Sequence, residues 1–198
     1  MRKILSIIIG YFFLQVLFSC NNSISDDEKL YAETQKGVIN FLLDKEIAQL
    51  QYSGIFIPDT ISFLDKEKET VKLSSINGKR NVYFCFDQTS SCSLCVQIAA
   101  EIILDASKVQ NINFIIISKF HSTKDIKIFQ NSHELNELDN VTILSGGFDD
   151  IGLKIVYPTF FVLDANNKTE MVYIHDKSYS ETTKKYIELL MEKLTARC

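Results

Sequence analysis

The sequence predicts an α/β protein with one central mixed β-sheet flanked by helices, preceded by an N-terminal helical preface. Three observations lead to this prediction. Short apolar runs typical of buried strands alternate with amphipathic helical stretches. A hairpin pattern and a last amphipathic helix follow them. No Pro-, Gly- or Ser-rich linker divides residues 55–198, so we expect one domain over that range.

The first half of the chain contains the less regular elements. A broken apolar stripe predicts a helix over residues 27–51. Two short strands, at 61–64 and 70–73, flank a turn and form a hairpin. A fully apolar centre predicts a buried strand at 81–86, and the recurrence of apolar residues every four positions predicts a helix over 93–108.

The second half alternates strands and helices more clearly. The continuous apolar run at 114–117 is typical of a central strand covered on both faces. Polar residues at 121–138 indicate helical or irregular structure. The remaining predicted elements are strands at 141–144, 160–163 and 170–174, a turn at 164–168, and a closing helix over 180–195.

The start of the chain is typical of an export signal. A basic pair precedes an almost wholly apolar run over residues 4–18, too short for a membrane span but suited to a signal peptide. The run ends in Leu-Phe-Ser-Cys at residues 17–20, which resembles the cleavage box of bacterial lipoproteins. This resemblance implies that residues 1–19 are removed and that Cys20 carries the lipid. A plain signal peptide, or an uncleaved anchor with a chance cysteine, is the alternative.

A lipoprotein signal places the protein in the bacterial cell envelope, lipid-anchored on the periplasmic side or at the cell surface. An acidic cluster at residues 25–28 resembles tags that send some lipoproteins to the surface, and it equally fits the first turn of a helix. Loss of residues 1–19 removes two positive charges and moves the formal net charge from −4 to −6. Such a chain has no electrostatic reason to bind nucleic acid. Residues 20–54 are predicted to form a tether and the helical preface.

Two cysteines form the candidate site. Cys92 and Cys95, separated by Ser-Leu, lie between the predicted buried strand and the helix that follows. A helix N-terminus stabilises negative charge, so we expect a lowered pKa at Cys92 and an exposed, nucleophilic thiolate. Cys95 comes one turn later, where it is more covered and can attack a mixed disulfide formed on Cys92.

Other uses of this pair require partners that the sequence does not offer. A zinc site needs two further ligands, and His121, His133 and His175 have no ligand-pair spacing, so no metal or cofactor is predicted. A structural disulfide closing so small a loop adds little stability.

Cys85 is expected in the core, Cys198 at a mobile chain end where it could pair between molecules, and His175 at the surface or at a helix cap.

Three stretches give residues 55–175 a resemblance to thioredoxin-like proteins of the TlpA type, which are membrane-anchored thiol–disulfide oxidoreductases of the bacterial envelope. Residues 61–78 are similar to the opening hairpin of that family. Residues 81–95 match its strand, loop, Cys-x-x-Cys pair and helix. Residues 157–164, Tyr-Pro-Thr-Phe-Phe-Val-Leu-Asp, match its proline, strand and aspartate-led turn.

The resemblance implies a thioredoxin-like fold, with Cys92 and Cys95 as the catalytic pair. It also implies a cis bond before Pro158, which places the Tyr157 backbone beside the two sulfur atoms, where it binds an extended substrate chain. A proline at the first residue of a strand is the alternative interpretation of Pro158.

Three positions depart from the family pattern. Ser91 stands where a tryptophan is usual, Leu94 where a proline is usual, and Ile98 where an acidic residue is often found. These residues affect the expected redox potential and rate more than the fold. They also leave room for a member that is redox-silent.

The leading hypothesis is an envelope enzyme that exchanges disulfides of exported proteins and is recharged by an unidentified membrane electron donor. One alternative is a redox-silent lipoprotein that uses the fold for partner binding. Another is a thiol peroxidase, which would need an arginine near the cysteines; Arg80 and Arg197 are the only arginines after the signal peptide, and neither is close in sequence.

Overall fold

The computed structural model describes residues 26–78, 80–108, 112–153 and 158–196. The chain divides into two compact units, with the boundary between Asp44 and Lys45. Within the described residues, no helix is long and apolar enough to cross a bilayer. The predicted signal peptide and the residues Cys20, Ser25, Tyr157, Arg197 and Cys198 lie outside the described residues.

In the part of the chain that the structure describes, seven strands form one mixed sheet, as the sequence predicts. Their order across the sheet is β2-β1-β5-β4-β3-β6-β7. Strand β3 pairs in parallel with β4, and β4 pairs in parallel with β5, whereas the remaining pairs are antiparallel. The strands are β1 (Ser62–Leu64), β2 (Thr70–Lys72), β3 (Asn81–Phe86), β4 (Asn113–Ser118), β5 (Val141–Ser145), β6 (Thr159–Leu163) and β7 (Thr169–Ile174).

The helices lie between these strands in the predicted α/β order. The first helix matches the predicted preface, and its residues from Lys45 onward belong to the same compact unit as the sheet. The domain limits 1–19, 20–54 and 55–198 stay predictions. The helices are α1 (Asp26–Tyr52), α2 (Leu73–Ile76), α3 (Ser93–Ser107), α4 (Thr123–Ser132) and α5 (Ser180–Ala196), with single 3₁₀ turns at Asp149–Ile151 and Lys177–Tyr179.

Strand β3 is buried on both faces of the sheet. Val82, Phe84 and Phe86 face one apolar cluster, which also holds buried side chains of α3, α4 and α5. Tyr83 and Cys85 face a second cluster, which contains the last turns of α1, the helix α2 and the loop after β5. Alternate side chains of a strand point to opposite faces, so a continuous apolar run is what two covered faces require.

The structure corrects one predicted strand boundary and places a helix within the polar stretch 121–138. The predicted strand 70–73 ends at Lys72, and the short helix α2 replaces its last residue and was not predicted. Leu73 is fully buried there, and its N–H donates to the Ile61 carbonyl oxygen at 2.9 Å. Within the polar stretch 121–138, which was predicted to be helical or irregular, α4 begins after Ser122, whose Oγ caps it by accepting from the Asp125 N–H at 3.3 Å.

The strand directions bring several loops to one edge of the sheet, namely the edge formed by the carboxyl ends of its parallel strands. Parallel strands β3, β4 and β5 all end at this edge, and β6 begins there. The loop before α3, the segment after β4, the loop after β5 and Pro158 therefore lie at the same edge. This is the edge at which open α/β sheets commonly place their sites.

Gly146 is a position where the backbone excludes a side chain. It follows β5 with φ +157°, and a Cβ there would lie 2.7 Å from Phe63 Cδ1. Gly152 also has a positive φ, +74°, but a Cβ there would meet open space. We expect Gly146→Ala to lower the free energy of unfolding by about 3 kcal/mol, from strain plus clash. Gly152→Ala should cost about 1 kcal/mol, from strain alone.

Chemical denaturation of the two variants and the wild type measures both effects. Equal losses in the two variants would show that the packing of Phe63 against the backbone of Gly146 does not contribute.

Candidate active site around Cys92 and Cys95

The loop between β3 and α3 is held by its own hydrogen bonds. Asp87 Oδ1 accepts from the Thr89 N–H at 2.7 Å, from Thr89 Oγ1 at 2.6 Å and from the Ser90 N–H at 3.3 Å. The Ser91 N–H donates to the Asp87 carbonyl oxygen at 2.8 Å. The Thr89 hydroxyl and N–H are the main groups that lower the pKa of the Asp87 carboxyl. These hydrogen bonds fix the path of the loop from the end of β3 to Cys92.

Cys92 is the N-cap residue of α3, as the sequence predicts. Its backbone is extended, with φ −60° and ψ 118°, and its Sγ accepts from the Cys95 N–H at 3.4 Å. The side chain of Cys95, acting as a hydrogen-bond donor to Cys92, is the largest cause that lowers the pKa of the Cys92 thiol. The Cys95 N–H and the positive charge of Lys177 lower it further. Cys92 is also exposed to solvent.

Cys95 has the opposite environment. It lies one turn into α3 and is only 5% exposed. Burial is the largest cause that raises the pKa of its thiol to about 11, and hydrogen bonding to Cys92 adds to this. The backbone N–H of Lys177 lowers the Cys95 pKa, while the charge of Asp176 raises it. The two thiols therefore differ in both access and acidity.

The third described cysteine, Cys85, lies in the core, apart from Cys92 and Cys95. Cys85 lies in β3, in the cluster on the sheet face opposite α3, and is 2% exposed. Burial raises the pKa of its thiol well above the ordinary range. All three described cysteines are free thiols in this structure. The core position predicted for Cys85 is confirmed.

Pro158 is buried at the edge of the sheet that carries Cys92. The next residue, Thr159, pairs with Cys85 of β3. The loop that leads to Cys92 begins two residues after Cys85. The Pro158 carbonyl oxygen accepts from the His175 N–H at 2.8 Å, which joins β6 and β7 at this end. No cis peptide bond occurs among the described residues, and the bond to Tyr157 lies outside them, so its predicted geometry stays a prediction.

The expectation that His175 lies at the surface or at a cap is wrong. Its side chain is 2% exposed, and Nδ1 lies 2.8 Å from Thr183 Oγ1. Burial, followed by the charge of Lys45, lowers the pKa of His175 to about 4. The ring is therefore neutral at neutral pH. Its position follows from β7, which ends one residue earlier against the core.

Sequence reasoning also missed a partly buried charged pair. Lys45 Nζ of α1 lies 3.7 Å from Asp176 Oδ2, in the segment after β7. The two residues are far apart in sequence, so no spacing pattern could link them. The one local signal was Asp176 itself, because Asp is a preferred N-cap residue, and its Oδ1 accepts from the Ser178 N–H at 2.8 Å. Within the described residues, no three metal-ligating side chains come together.

Comparison with known proteins gives matches in structure alone. No family model and no curated protein matches the sequence. A Chlorobium tepidum protein assigned as a thiol:disulfide interchange protein DsbE matches with a TM-score of 0.51 and 18% identity, covering 70% of this chain and 97% of that one. An Aquifex aeolicus VF5 protein assigned to electron transfer matches with a TM-score of 0.51 and 13% identity, covering 70% and 94%. DsbF of Mycobacterium tuberculosis, solved in mixed oxidized and reduced forms, matches with a TM-score of 0.50 and 14% identity, covering 68% and 98%.

These matches, together with the strand order, decide the architecture. The chain has a thioredoxin-like fold. Within this thioredoxin-like fold, the residues that depart from the TlpA pattern have distinct surroundings. Leu94, between the cysteines, is 45% exposed, whereas Ile98 packs partly buried against the core cluster of α3.

The pKa of Cys92 can be tested through its alkylation. Only the thiolate reacts, so the rate rises with pH and is half-maximal at the pKa. Because the pKa is lowered, we expect Cys92 to react at a lower pH than an ordinary cysteine, while Cys85 and Cys95 stay unmodified in the native protein. Iodoacetamide labelling at a series of pH values, read by mass spectrometry, measures this.

Substitutions at Cys95 test the cause of the shift. Cys95→Ala removes the side-chain donor and should move the midpoint for Cys92 upward, whereas Cys95→Ser keeps a donor and should move it less. A midpoint that is the same in all three proteins would show that the Cys95 side chain does not stabilise the thiolate.

Proposed function

We propose that this chain is a lipid-anchored thiol–disulfide oxidoreductase of the bacterial cell envelope, which acts on disulfides of exported proteins through Cys92 and Cys95. The asymmetry between the two thiols carries the proposal. Cys92 is exposed at a helix start with a lowered pKa, whereas Cys95 is buried one turn away with a pKa raised to about 11. An accessible thiolate beside a protected thiol is what sequential disulfide exchange requires.

The exchange proceeds in two balanced steps. The Cys92 thiolate attacks one sulfur of the substrate disulfide, forms a mixed disulfide and releases the other sulfur as a thiolate, which takes a proton from water. Cys95 then loses its proton and attacks Cys92 Sγ. The new Cys92–Cys95 bond replaces the mixed disulfide and frees the second substrate thiolate. The two cysteines together lose two electrons and the substrate disulfide gains them.

Substrate binding is assigned to the segment before β6. In the TlpA-type proteins that the sequence resembles, the residue before the proline presents its backbone to an extended substrate. Here that role falls to Tyr157 and Pro158. The location of Pro158 at the edge of the sheet that carries Cys92 supports this assignment.

Turnover requires an external source of electrons. After one cycle the cysteines form a disulfide, so a donor must reduce it before the next substrate can react. For a protein outside the cytoplasm, we assign this role to a membrane electron donor. The Leu-Phe-Ser-Cys box at residues 17–20 supports attachment to the membrane through lipid on Cys20.

A redox-silent binding module is the second candidate. It is favoured by the residues at positions 91, 94 and 98, which differ from those of TlpA-type enzymes. A thiol peroxidase has less support. Arg80 precedes β3, so the length of this strand, about 20 Å, separates it from the loop that carries Cys92.

Disulfide reduction by the cysteine variants tests the proposed activity. The wild type, supplied with a dithiol, should reduce a disulfide-bonded test protein such as insulin, and Cys92→Ser should lose this activity because the nucleophile is absent. Cys95→Ser should accumulate a mixed disulfide with the substrate, which mass spectrometry detects, because the second step is blocked.

Cys85→Ala is the matched control, since it removes a thiol from the core without touching the pair, and it should retain activity. Equal reduction by wild type and Cys92→Ser would refute the enzymatic proposal. A Cys92–Cys95 disulfide that excess dithiol leaves intact would favour the binding module.

The lipid anchor is tested in cells. Metabolic labelling with an alkyne-modified fatty acid should label the wild type, and Cys20→Ser should lose both the label and sedimentation with membranes. Cys198→Ser is the control and should keep both. Labelling of the Cys20→Ser protein would rule out this cysteine as the attachment site.

A further inference from the structure

His175 is a buried polar side chain at the point where the chain leaves β7. It directly follows the last residue of that strand, and its side chain is 2% exposed. The ring lies edge-on to Phe160, with the two ring centres 6.4 Å apart. Within the described residues, its Nε2 makes no hydrogen bond. A leucine would fill this space without the cost of burying polar atoms, so a histidine here calls for a reason.

The His175 ring is bonded to a threonine of α5. Its Nδ1 lies 2.8 Å from Thr183 Oγ1, and the Thr183 side chain is fully buried. The Thr183 hydroxyl also lies 3.2 Å from the Tyr179 carbonyl oxygen and 3.2 Å from the Tyr173 hydroxyl oxygen. A hydroxyl has one hydrogen and two lone pairs, so it can donate to that carbonyl while it accepts from the Nδ1–H.

The backbone of His175 holds the segment before β6. Its N–H donates to the Pro158 carbonyl oxygen at 2.8 Å, one residue beyond the pair of Thr159 with Ile174. Pro158 has no N–H to donate in return, so this carbonyl is its one backbone hydrogen-bonding group. The ends of a strand pair open most readily. The position of Pro158 therefore depends on what immobilises His175.

The 3₁₀ turn Lys177–Tyr179 extends the same restraint to the cysteine helix. Residues of this turn lie close to residues of α3, which begins directly after Cys92. The last carbonyl of the turn, that of Tyr179, is the one that accepts from the Thr183 hydroxyl. The segment before β6 and the turn beside α3 are thus tied to one buried side chain of α5.

We propose that His175 and Thr183 are positioning residues that hold Pro158 and the 3₁₀ turn in place at the edge of the sheet that carries Cys92, so that an extended polypeptide can bind there. This inference rests on the proposed function, in which the segment before β6 binds the substrate chain. A segment that is already ordered loses less conformational entropy when the substrate binds. Neither residue takes part in the bonds that disulfide exchange makes and breaks.

This role separates substrates by their size. A polypeptide disulfide uses the segment before β6, whereas a small aromatic disulfide, dithiobis(nitrobenzoate), needs only access to the Cys92 sulfur. The readout is the ratio of two second-order rate constants of the reduced protein, one for insulin and one for the aromatic disulfide. Quenched samples read by mass spectrometry give the first constant, and stopped-flow absorbance of the released thiolate gives the second.

We expect Thr183→Val and His175→Leu each to lower this ratio about fivefold, the change that the loss of one hydrogen bond produces. Thr183→Ser keeps the hydroxyl, and His175→Asn keeps a polar atom close to the position of Nδ1, so both should retain most of the ratio. Thr195→Val is the matched control, because the Thr195 hydroxyl donates to the Met191 carbonyl oxygen within α5 and is exposed. It should leave the ratio unchanged.

A role in folding alone gives a different result. A generally disturbed site reacts more slowly with both reagents, so slowing in both without a change in the ratio would overturn the inference. An equal fall of the ratio in Thr195→Val would also overturn it. Should Thr183→Val fail to fold, because it leaves Nδ1 buried and unpaired, His175→Leu decides, since there the Thr183 hydroxyl keeps the Tyr179 carbonyl as its partner.

Hydrogen exchange of the wild type gives a test that needs no variant. If the ring of His175 is held as proposed, the terminal bond to Pro158 does not fray, and the His175 N–H exchanges about as slowly as the N–H groups in the middle of β6 and β7. NMR spectroscopy measures both rates. Exchange at His175 that is faster on the order of a hundredfold would overturn the inference.

Failure of the proposed function would look different. A wild type that reacts with the aromatic disulfide but does not reduce insulin would overturn both proposals. A wild type that reduces insulin, and whose ratio of rate constants does not respond to the loss of either His175 or Thr183, would overturn this inference alone.

Discussion

The burial of β3 is the constraint on which the rest of the structure depends. All six of its residues are buried, and its backbone is bonded to β4 on one side and to β6 on the other. The Tyr83 ring stacks on Phe161 at 5.3 Å on one face, and Phe84 packs 4.6 Å from Phe160 on the other. A strand held on four sides cannot shift its register, so the position of its last residue, and with it the start of α3, is fixed.

The chemistry of the candidate site follows from that fixed point. A helix that begins at an exposed loop presents its free N–H groups to the first cysteine, and the same helix carries the second cysteine under cover within one turn. The difference in pKa between two identical side chains three residues apart therefore comes first from the hydrogen bond that the Cys95 side chain donates to Cys92, and from the burial of Cys95. The short distance between them then makes each thiol a determinant of the other's acidity.

The sequence predicts those parts of the fold that depend on local pattern. The apolar runs of β3 and β4 and the amphipathic α3 are recognisable because burial dictates their residues directly. The pairing of Lys45 with Asp176 and the burial of His175 depend on which helices and strands contact each other. Hydrophobic periodicity contains no information about such tertiary contacts. The helix α2 was missed for a related reason, since four residues are too few to show a helical period.

The hydrogen bonds that β7 makes with α1 and with the segment after α1 affect how molecules of this protein associate with one another. β7 is an edge strand, and edge strands can add the strand of a second molecule. Here the Ile174 N–H donates to Gln49 Oε1 at 3.0 Å, and at the other end the Thr169 N–H donates to the Ile55 carbonyl oxygen at 2.9 Å. Both ends of the strand are thus occupied by the chain's own atoms. At high protein concentration, this capping disfavours sheet-to-sheet polymerisation.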